Sequence, residues 1–542
     1  MQVERTGNYL KWSGFLRMIP GKQLMATFFY GTFRILAATI WPYFLYRYLK
    51  SASLPRFTDL LPGVLVVLLL FAGSGIASYR QSAINIRLLK NFSLELADRI
   101  WKKMNALDWL TFHQRNRVYY FDMMMMEAWR LRSAMGAVLE VLAVNGIIAA
   151  ALIVVIALIS FPLFLLCLGA LGVLGGLHLY SMRRQRPAVQ RFHAAWRAQH
   201  HWVAKSVDQF DLIKMGRGYA WSANENRVAT NHFLEANSDK LRQQSRWRII
   251  NQVAGNLVRI IIFLVGIFWL RQGAVQFSEL LLVLLLVSIV QSNLMQVPGA
   301  VSQLLEGQDA ALTLAAFFDL KEERIADPDP SGVQSVEQLS FKGVSYFYNN
   351  DAGIKELDLD LERGRVYLWR GPNGSGKSTA AHLLLGLLQP QAGHLFVNGA
   401  PADWELLKTL RPRFGFLDQD APIFMGSIKE NAVFGHEAPE RAWAGLGDSW
   451  LSHLLPSGVI EERHVGERGE GLSGGEAKRI ALIRELLRSH DILVLDEPLN
   501  HLDEAAVQLL KQEMTRLKES RIIVIISHQP GFESIADEIR SF

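Results

Sequence analysis

Apolar positions are spread unevenly along the chain, and their spacing changes near residue 320. Before that point six runs approach the ~20 apolar residues needed to cross a ~30 Å hydrocarbon layer. They lie at Leu24–Tyr46, Leu60–Tyr79, Met135–Ser160, Leu163–Tyr180, Ile249–Leu270 and Leu280–Ala300. Little more than Phe161-Pro162 separates the third run from the fourth, which predicts a tight hairpin. The stretches 81–134 and 181–248 are polar but keep a helical period, so the pattern predicts six long helices that run well beyond the layer. Farther on, Leu339–Tyr348 reads as an edge strand and Val366–Arg370 as a strand feeding a glycine-rich loop. Ile492–Leu495 reads as a buried strand ending in Asp496-Glu497, and Ile522–Ile526 as another ending in Ser527-His528. Strands that alternate with helices and end in polar groups predict an α/β sheet whose ligand sits at that edge. Lys321-Glu322-Glu323-Arg324 to Asp327-Pro328-Asp329-Pro330-Ser331-Gly332 is charged, proline-rich and without apolar period, as in a linker. The fold class expected is therefore a multidomain membrane protein: an all-α six-helix transmembrane domain (1–320), a linker (321–336) and an α/β domain (337–542). No internal repeat is visible, so a second membrane half must come from another chain.

Composition and charge sharpen the membrane reading. Half of the 542 residues are apolar and the net charge is +6. The basic residues flank apolar runs instead of forming one module, which argues for basic cytoplasmic loops and against nucleic acid. Arg87, Lys90, Arg99, Lys102 and Lys103 lie in one polar stretch, and Arg183, Arg184, Arg186 and Arg191 in the other. The positive-inside rule then puts both stretches, the N-terminus and everything after residue 300 in the cytoplasm. The single cysteine, Cys167, lies in an apolar run, which excludes an intrachain disulfide framework or zinc cluster. Tyr9-Leu10-Lys11-Trp12 to Phe15-Leu16-Arg17-Met18 alternates basic and apolar groups like an interfacial helix. Glu4 and the continuity with the first span argue against a transit peptide, and no cleavable signal is apparent.

Two short runs carry the chemistry. Gly371-Pro372-Asn373-Gly374-Ser375-Gly376-Lys377-Ser378-Thr379 has the form of a loop that presents backbone N–H groups and a helix N-terminus to a triphosphate. Lys377 adds positive charge there and Ser378 a hydroxyl for Mg2+. The second run, Leu472-Ser473-Gly474-Gly475-Glu476, has no positive charge, but it offers N–H groups and a hydroxyl to a nucleotide held elsewhere.

A phosphate loop, then Leu-Ser-Gly-Gly-Glu, then an apolar strand ending Asp-Glu, in that order, resembles the ABC transporters of exporter type. The resemblance covers essentially the whole chain. It implies that 337–542 is an α/β P-loop ATPase domain driving export of a small peptide, amphiphile or lipid-like anion by alternating access, with ATP and Mg2+ as cofactors, and it assigns roles to the matching positions. Tyr348 would stack on adenine, and Gln419 would contact Mg2+ and the attacking water. Asp496 would hold Mg2+, Glu497 would act as general base, and His528 would contact the γ-phosphate. Ser473, Gly474 and Gly475 would complete the site of a partner chain, so the resemblance implies a dimer of half-transporters, identical chains being favoured. Val465-Gly466-Glu467-Arg468-Gly469 matches a segment that in exporters touches the cytoplasmic helical loops. The implied location is a bacterial inner membrane, among its lipids. An importer on the same fold and an ATP-gated channel or sensor remain open.

Three departures from the family pattern are visible. Leu499-Asn500-His501-Leu502-Asp503 replaces the usual Ser-Ala-Leu-Asp run, the segment between Gly435 and Val465 is short, and relatives commonly continue past Phe542. Two turns are expected to dock on the ATPase domain, at His113–Asp122 and at Gln199–Asp208. Met123-Met124-Met125-Met126 beside the first is read as helix packing. For cargo, Arg34 and Arg259 lie near mid-span, where an arginine costs ~2.5–3.5 kcal/mol if it faces lipid. Gln252, Asn256 and Arg259 share a helix face, as do Ser288, Ser292 and Gln296. Those stripes line a polar cavity for an anionic or peptide-like substrate, or they hold the bundle together. Gly169, Gly172, Gly175 and Gly176 are read as a close-packing face.

Overall fold

Each of the two predicted halves is seen in the computed structural model, which describes residues 21–50, 57–139, 141, 146–216, 218–323, 333–348, 352–446, 463–466 and 469–542. The Tyr9–Met18 helix, most of the linker (324–332), Glu467-Arg468, residues 447–462 of the short segment and the side chain of Arg34 lie outside the described residues. Two units emerge: residues 1–105 with 115–321, and residues 106–114 with 322–542.

The first unit is helical. Its main helices are Gly21–Lys50, Phe57–Ala106, Ala128–Ala137, Gly146–Ile159, Phe161–Asp208, Tyr219–Arg271, Phe277–Leu294 and Val297–Phe318. A 50-residue helix is ~75 Å long, more than twice a ~30 Å hydrocarbon layer. Among the described residues, three helices are long and apolar enough to cross a membrane, over Leu61–Ala106, Phe161–Val207 and Tyr219–Arg271. Ala149–Ile159 and Phe277–Asn293 are shorter apolar helices. Ser160 alone separates Ile159 from Phe161, and Pro162 starts the new helix where its missing N–H costs nothing. The sixth run differs from expectation: its helix stops at Leu294, and a separate one begins at Val297 with Pro298 in its first turn. The turn expected at Gln199–Asp208 also differs. The helix continues to Asp208, and the chain reverses at Gln209–Gly218, where Gly216 and Gly218 interrupt the period. An apolar core formed by Leu152, Ile156, Leu163, Ile262, Val283 and Leu286 joins the helices. The four glycines of the fourth run have nothing within 4 Å of where a Cβ would stand, so the expected close packing is not made within this chain.

The second unit is an α/β domain whose described strands form two larger sheets and a two-stranded pair, β7 with β8 in the numbering that follows. In chain order its strands are β1 (Gln338–Phe347), β2 (Gly353–Glu362), β3 (Val366–Arg370), β4 (Ala392–Val397), β5 (Ala400–Ala402), β6 (Phe414–Leu417), β7 (Gly426–Ser427), β8 (His464–Val465), β9 (Ile492–Asp496), β10 (Ile522–Ile526) and β11 (Glu538–Ser541). An antiparallel sheet has the order β2-β1-β4-β5, so β1 is an inner strand and not the edge its sequence suggested. Its partner β4 opens on Ala392-Gly393-His394, so its strand signal is confined to Leu395-Phe396-Val397, which hid the second pairing. The other sheet has the order β11-β3-β10-β9-β6. Every residue of β9 and β10 is buried. Successive side chains point to opposite faces. Trp369, Val494, Val524 and Ile526 therefore enter one core, while Leu368, Leu493, Leu495 and Ile525 enter the other. A sheet covered on both faces leaves its strand ends as the place for polar chemistry.

Candidate nucleotide site

The loop after β3, the strand ends of β9 and β10, and Tyr348 after β1 enclose a cleft of ≈ 460 Å3. Its walls include Tyr348, Asn373, Gly374, Gly376, Lys377, Ser378, Thr379, Gln419, Asp496, Glu497 and His528. Eleven of the residues named from the sequence thus meet at one sheet edge. Gly371 and Ser375 shape the loop from behind: Gly371 has φ +152°, and a Cβ there would lie 2.8 Å from the Ser375 hydroxyl. Gly376 caps the helix Lys377–Leu384 at φ +103°, with Ile354 Cγ1 2.8 Å from where its Cβ would stand. Only glycine fits both positions, and the result is a cradle of N–H groups at a helix start. Lys377 Nζ curls over that cradle and donates to the carbonyls of Gly371 (2.9 Å) and Pro372 (2.8 Å). A phosphate would replace these neutral acceptors with charged ones, so the donor set fits a triphosphate.

Two carboxylates close the far side. Asp496 ends β9 with only 8% of its surface exposed. Burial, then the charges of Glu497 and Asp418, push its pKa up to about 6. A divalent cation would relieve that repulsion. Among the described residues no group of three or more His, Cys, Asp or Glu is arranged to hold a metal. Mg2+ here would therefore take phosphate oxygens and water for its remaining ligands. Glu497 sits at φ +47°, a conformation that a non-glycine residue adopts only under constraint. The constraint is visible. Its backbone N–H donates to Ile526 O at 2.9 Å, and Oε1 accepts from the His528 N–H at 3.1 Å and from His528 Nδ1 at 2.6 Å. A carboxylate can only accept, so Nδ1 carries the proton. Ser527 Oγ donates to the other oxygen, Oε2, at 3.3 Å. Tyr348 is 45% exposed and meets Tyr346 edge-on, which leaves a ring face for a flat partner.

Ser473, Gly474 and Gly475 are not on this cleft. Ser473 caps the helix Gly474–Leu487 in a capping box with Glu476, and Ser473 and Gly474 are exposed. His501, at φ +68° in the unusual Leu499–Asp503 run, packs beside them, its ring 3.8 Å from the Cβ position of Gly474. Asp503 caps the next helix through Ala506 N–H at 2.8 Å and pairs with Arg479. Its acidity therefore has a structural use in this chain.

Residues 106–114 belong to this unit although they precede it by more than two hundred positions. Asp108 caps the short helix Trp109–His113 by accepting from Thr111 N–H at 2.9 Å. Trp109 stacks on His113 and reaches the ring of His382 on the helix that follows the phosphate loop, at 4.6 Å between centroids. Sequence reasoning placed the docking turn at His113–Asp122; His113 and Gln114 of it belong to this unit, but the segment begins earlier, with Trp109 and Leu110 packed on the core, and 115–122 belong to the helical unit. A tryptophan just after an N-cap aspartate was the available signal. Burial lowers the pKa of His382, opposed by Asp418 and reinforced by His113. His382 is thus held neutral, while in the unfolded chain it titrates near ~6.5. Its contribution to stability is full above that value and is lost as pH falls through the lower folded pKa. Between about pH 7.5 and about 5.5 the melting temperature should fall in the parent chain, and that fall should be shallower in His382→Phe.

The candidate cargo residues are more dispersed. Arg259 donates to Asn256 and, at 3.3 Å, to Ser288 on the next helix. Gln252 and Asn256 are exposed. Arg34 stands within the helix Gly21–Lys50. A separate cleft of ≈ 400 Å3 in the helical unit is lined by Gln185, Gln244, Trp247, Arg248, Asn251 and Gln296, among others. Asn251 is 3% exposed, and its Oδ1 has no hydrogen-bond partner among the described residues. Of the sequence-predicted polar stripes, only Gln296 reaches this cleft.

Such a cleft at the C-terminal edge of a parallel sheet, next to a glycine cradle, defines a P-loop ATPase domain. Residues 354–500 match the ABC transporter family model. Among curated relatives, the β-(1→2)glucan export ATP-binding/permease protein NdvA of Brucella melitensis biotype 1 is 24% identical over 387 residues, 69% of this chain and 63% of the relative. The NdvA protein of Agrobacterium vitis is 29% identical over 302 residues, 54% of this chain and 50% of its own length. An uncharacterized ABC transporter ATP-binding protein, YwjA of Bacillus subtilis strain 168, is 26% identical over 300 residues, 54% of this chain and 51% of the relative. The chain thus spans between half and two thirds of the length of these curated relatives. A solved structure of a bacterial Atm1-family ABC exporter with ATP bound superposes with a TM-score of 0.85 at 19% identity, over 96% of this chain and 93% of that one. Residues 354–500 thus carry an ABC transporter ATPase domain, and the chain as a whole shares the fold of an ABC exporter, with a helical region ahead of one ATPase domain.

Proposed function

We propose that the chain is one half of an ATP-driven exporter that works as a pair, identical chains being favoured, in a bacterial plasma membrane with its ATPase domain in the cytoplasm. The observation that carries this reading is the separation of Ser473–Gly475 from the cleft of their own phosphate loop. A group of N–H donors and a hydroxyl that no local ligand uses makes sense when a second copy presents its nucleotide to them. In each site Tyr348 would stack on the base. Gly371, Asn373, Gly374, Ser375, Gly376, Lys377, Ser378 and Thr379 would hold the phosphates. Ser378, Asp496 and Gln419 would hold Mg2+, which when bound supplies charge that stabilises the phosphate oxygens. His528 Nδ1–H fixes Oε1 of Glu497, and Oε2, which accepts from Ser527 Oγ at 3.3 Å, would take a proton from water. Trp109 against His382 ties residues 106–114 to the helix of the phosphate loop, the path by which closure would reach the membrane helices.

The cargo we propose carries hydrogen-bonding groups: a small peptide, an amphiphile, a lipid-like anion or, as in the names of the NdvA relatives, a glucan. The amides of Gln185, Gln244 and Asn251 beside Trp247 and Arg248 support that class. The test uses the full chain reconstituted in vesicles, with ATP turnover measured against a peptide, an anionic amphiphile and a cyclic β-glucan. At least one should stimulate turnover and accumulate on the side away from the ATPase domain. With Asn251→Leu, half-maximal stimulation should require about 10-fold more cargo, as expected when a buried polar partner is lost. ATP turnover without accumulation of any solute would sink the export reading.

A further inference from the structure

The helix that follows the signature carries a lysine inside the protein. Lys478 is only 2% exposed. Its Nζ donates to three main-chain carbonyls, those of Asp418 (3.1 Å), Gln419 (3.3 Å) and Asp496 (3.2 Å). An ammonium has three donors and no acceptor, so every N–H has a partner. Asp496 ends β9, and Asp418 and Gln419 directly follow β6. β6 and β9 pair in parallel, with Leu417 opposite Leu495 as the last registered pair. Beyond that pair the two backbones separate, one into Asp418-Gln419 and the other into Asp496-Glu497, and the ammonium fills the fork. The carboxylates of Asp496, Asp418, Glu497 and Asp420 lie within its field. The lysine enters from a helix whose next turn, Ile480 to Ile483, is fully embedded in the core.

We propose that Lys478 is a positioning residue for ATP hydrolysis, holding the Gln419 loop in fixed register with Asp496 and Glu497 and linking both to the signature helix. Three parallel carbonyl dipoles converging on one point repel each other, and a buried cation is what lets them converge. The same cation sets the distance between two groups expected at Mg2+, Gln419 and Asp496, without touching the metal or the nucleotide. Because Ser473–Gly475 begin the same helix, a shift at the partner's nucleotide would be felt at this chain's own fork. The inference rests on the ATPase reading given above.

The test compares the full-length parent with Lys478→Met, which keeps the length and loses the charge, and Lys478→Arg, which keeps the charge. The first readout is the gain in affinity for a fluorescent ATP analogue when Mg2+ is added, which needs no turnover. Lys478→Met should bind the analogue without Mg2+ within about twofold of the parent but lose about fivefold or more of the Mg2+-dependent gain, and its kcat should fall about 10-fold or more. Lys478→Arg should recover part of both. An unchanged Mg2+ gain in Lys478→Met overturns the proposal. So does a loss that merely follows reduced Mg2+-free binding and a lower melting temperature, since that is what a structural role alone would give. If Lys478→Met is not recovered folded, Lys478→Gln decides on the same readout. A parent that hydrolyses no ATP would overturn the ATPase reading, while the Mg2+ gain would still judge Lys478.

Discussion

Replacing Glu497 by glutamine should lower ATP turnover by about 10²–10⁴-fold, the range that a positioned general base supplies. The substitution keeps the shape of the side chain and a carbonyl oxygen for the His528 N–H and Nδ1–H. The amide takes over the other position, where the carboxylate accepts from Ser527 at 3.3 Å. Glutamine offers an N–H there and cannot take a proton from water. Nucleotide binding depends on the loop from Gly371 to Thr379, which the substitution does not reach, so affinity for ATP should change by less than about twofold. The measurement is phosphate release under saturating Mg2+ and ATP, with binding of a fluorescent analogue as the control. Retained turnover would mean that another group takes the proton and that the constrained backbone at Glu497 serves something else.

The second large effect concerns pairs of chains. Lys377→Ala should remove binding at the phosphate loop, and Gly474→Asp should remove function at the signature. The new carboxylate is accommodated locally: the nearest atoms are 3.8 Å from the Cβ position, and an acid in the first turn of a helix is favourable. A negative charge there repels a phosphate presented by another chain. Either variant alone should be inactive. When the two are co-expressed, a mixed pair joins the intact loop of one chain to the intact signature of the other. Random pairing in a two-fold dimer then restores roughly a quarter of the sites. The readout is ATPase activity of the purified mixture against each variant alone. No recovery in the mixture would contradict the two-chain site.

Legibility in the sequence followed burial. Strands β9 and β10 are apolar throughout because both their faces are covered, and such runs are hard to mistake. The phosphate loop was equally clear, since Gly371, Gly374 and Gly376 all sit at positive φ, a conformation that favours glycine. β1 was misplaced at an edge because its alternation looks half exposed, and what pairs with its other side is β4, whose apolar run is only Leu395-Phe396-Val397. The second cytoplasmic turn was set too early. Gln199-His200-His201 looked like a polar tip, but on a helix they fit among ring contacts such as Trp196 on His200, and the glycines break the helix later. Lys478 was invisible as a special residue, because a lysine on an amphipathic pattern is read as exposed. Its meaning depends on two loops far away in sequence. Asn251 was missed for a related reason: one amide among many has no signature until its neighbours are known.

The small helix Trp109–His113 lies in the ATPase unit, yet it is encoded ahead of most of the membrane-crossing chain. The boundary between the two functions is consequently not a point in the sequence. A fragment cut to begin at residue 337 would contain every residue of the nucleotide cleft but would lose the indole that shields His382 and the apolar side chain of Leu110 beside it. Such a fragment presents fresh apolar surface at the helix of its phosphate loop. It is a less faithful stand-in for the ATPase half than its uninterrupted motifs suggest, and adding back the nine residues 106–114 as a separate peptide is the natural complement to it.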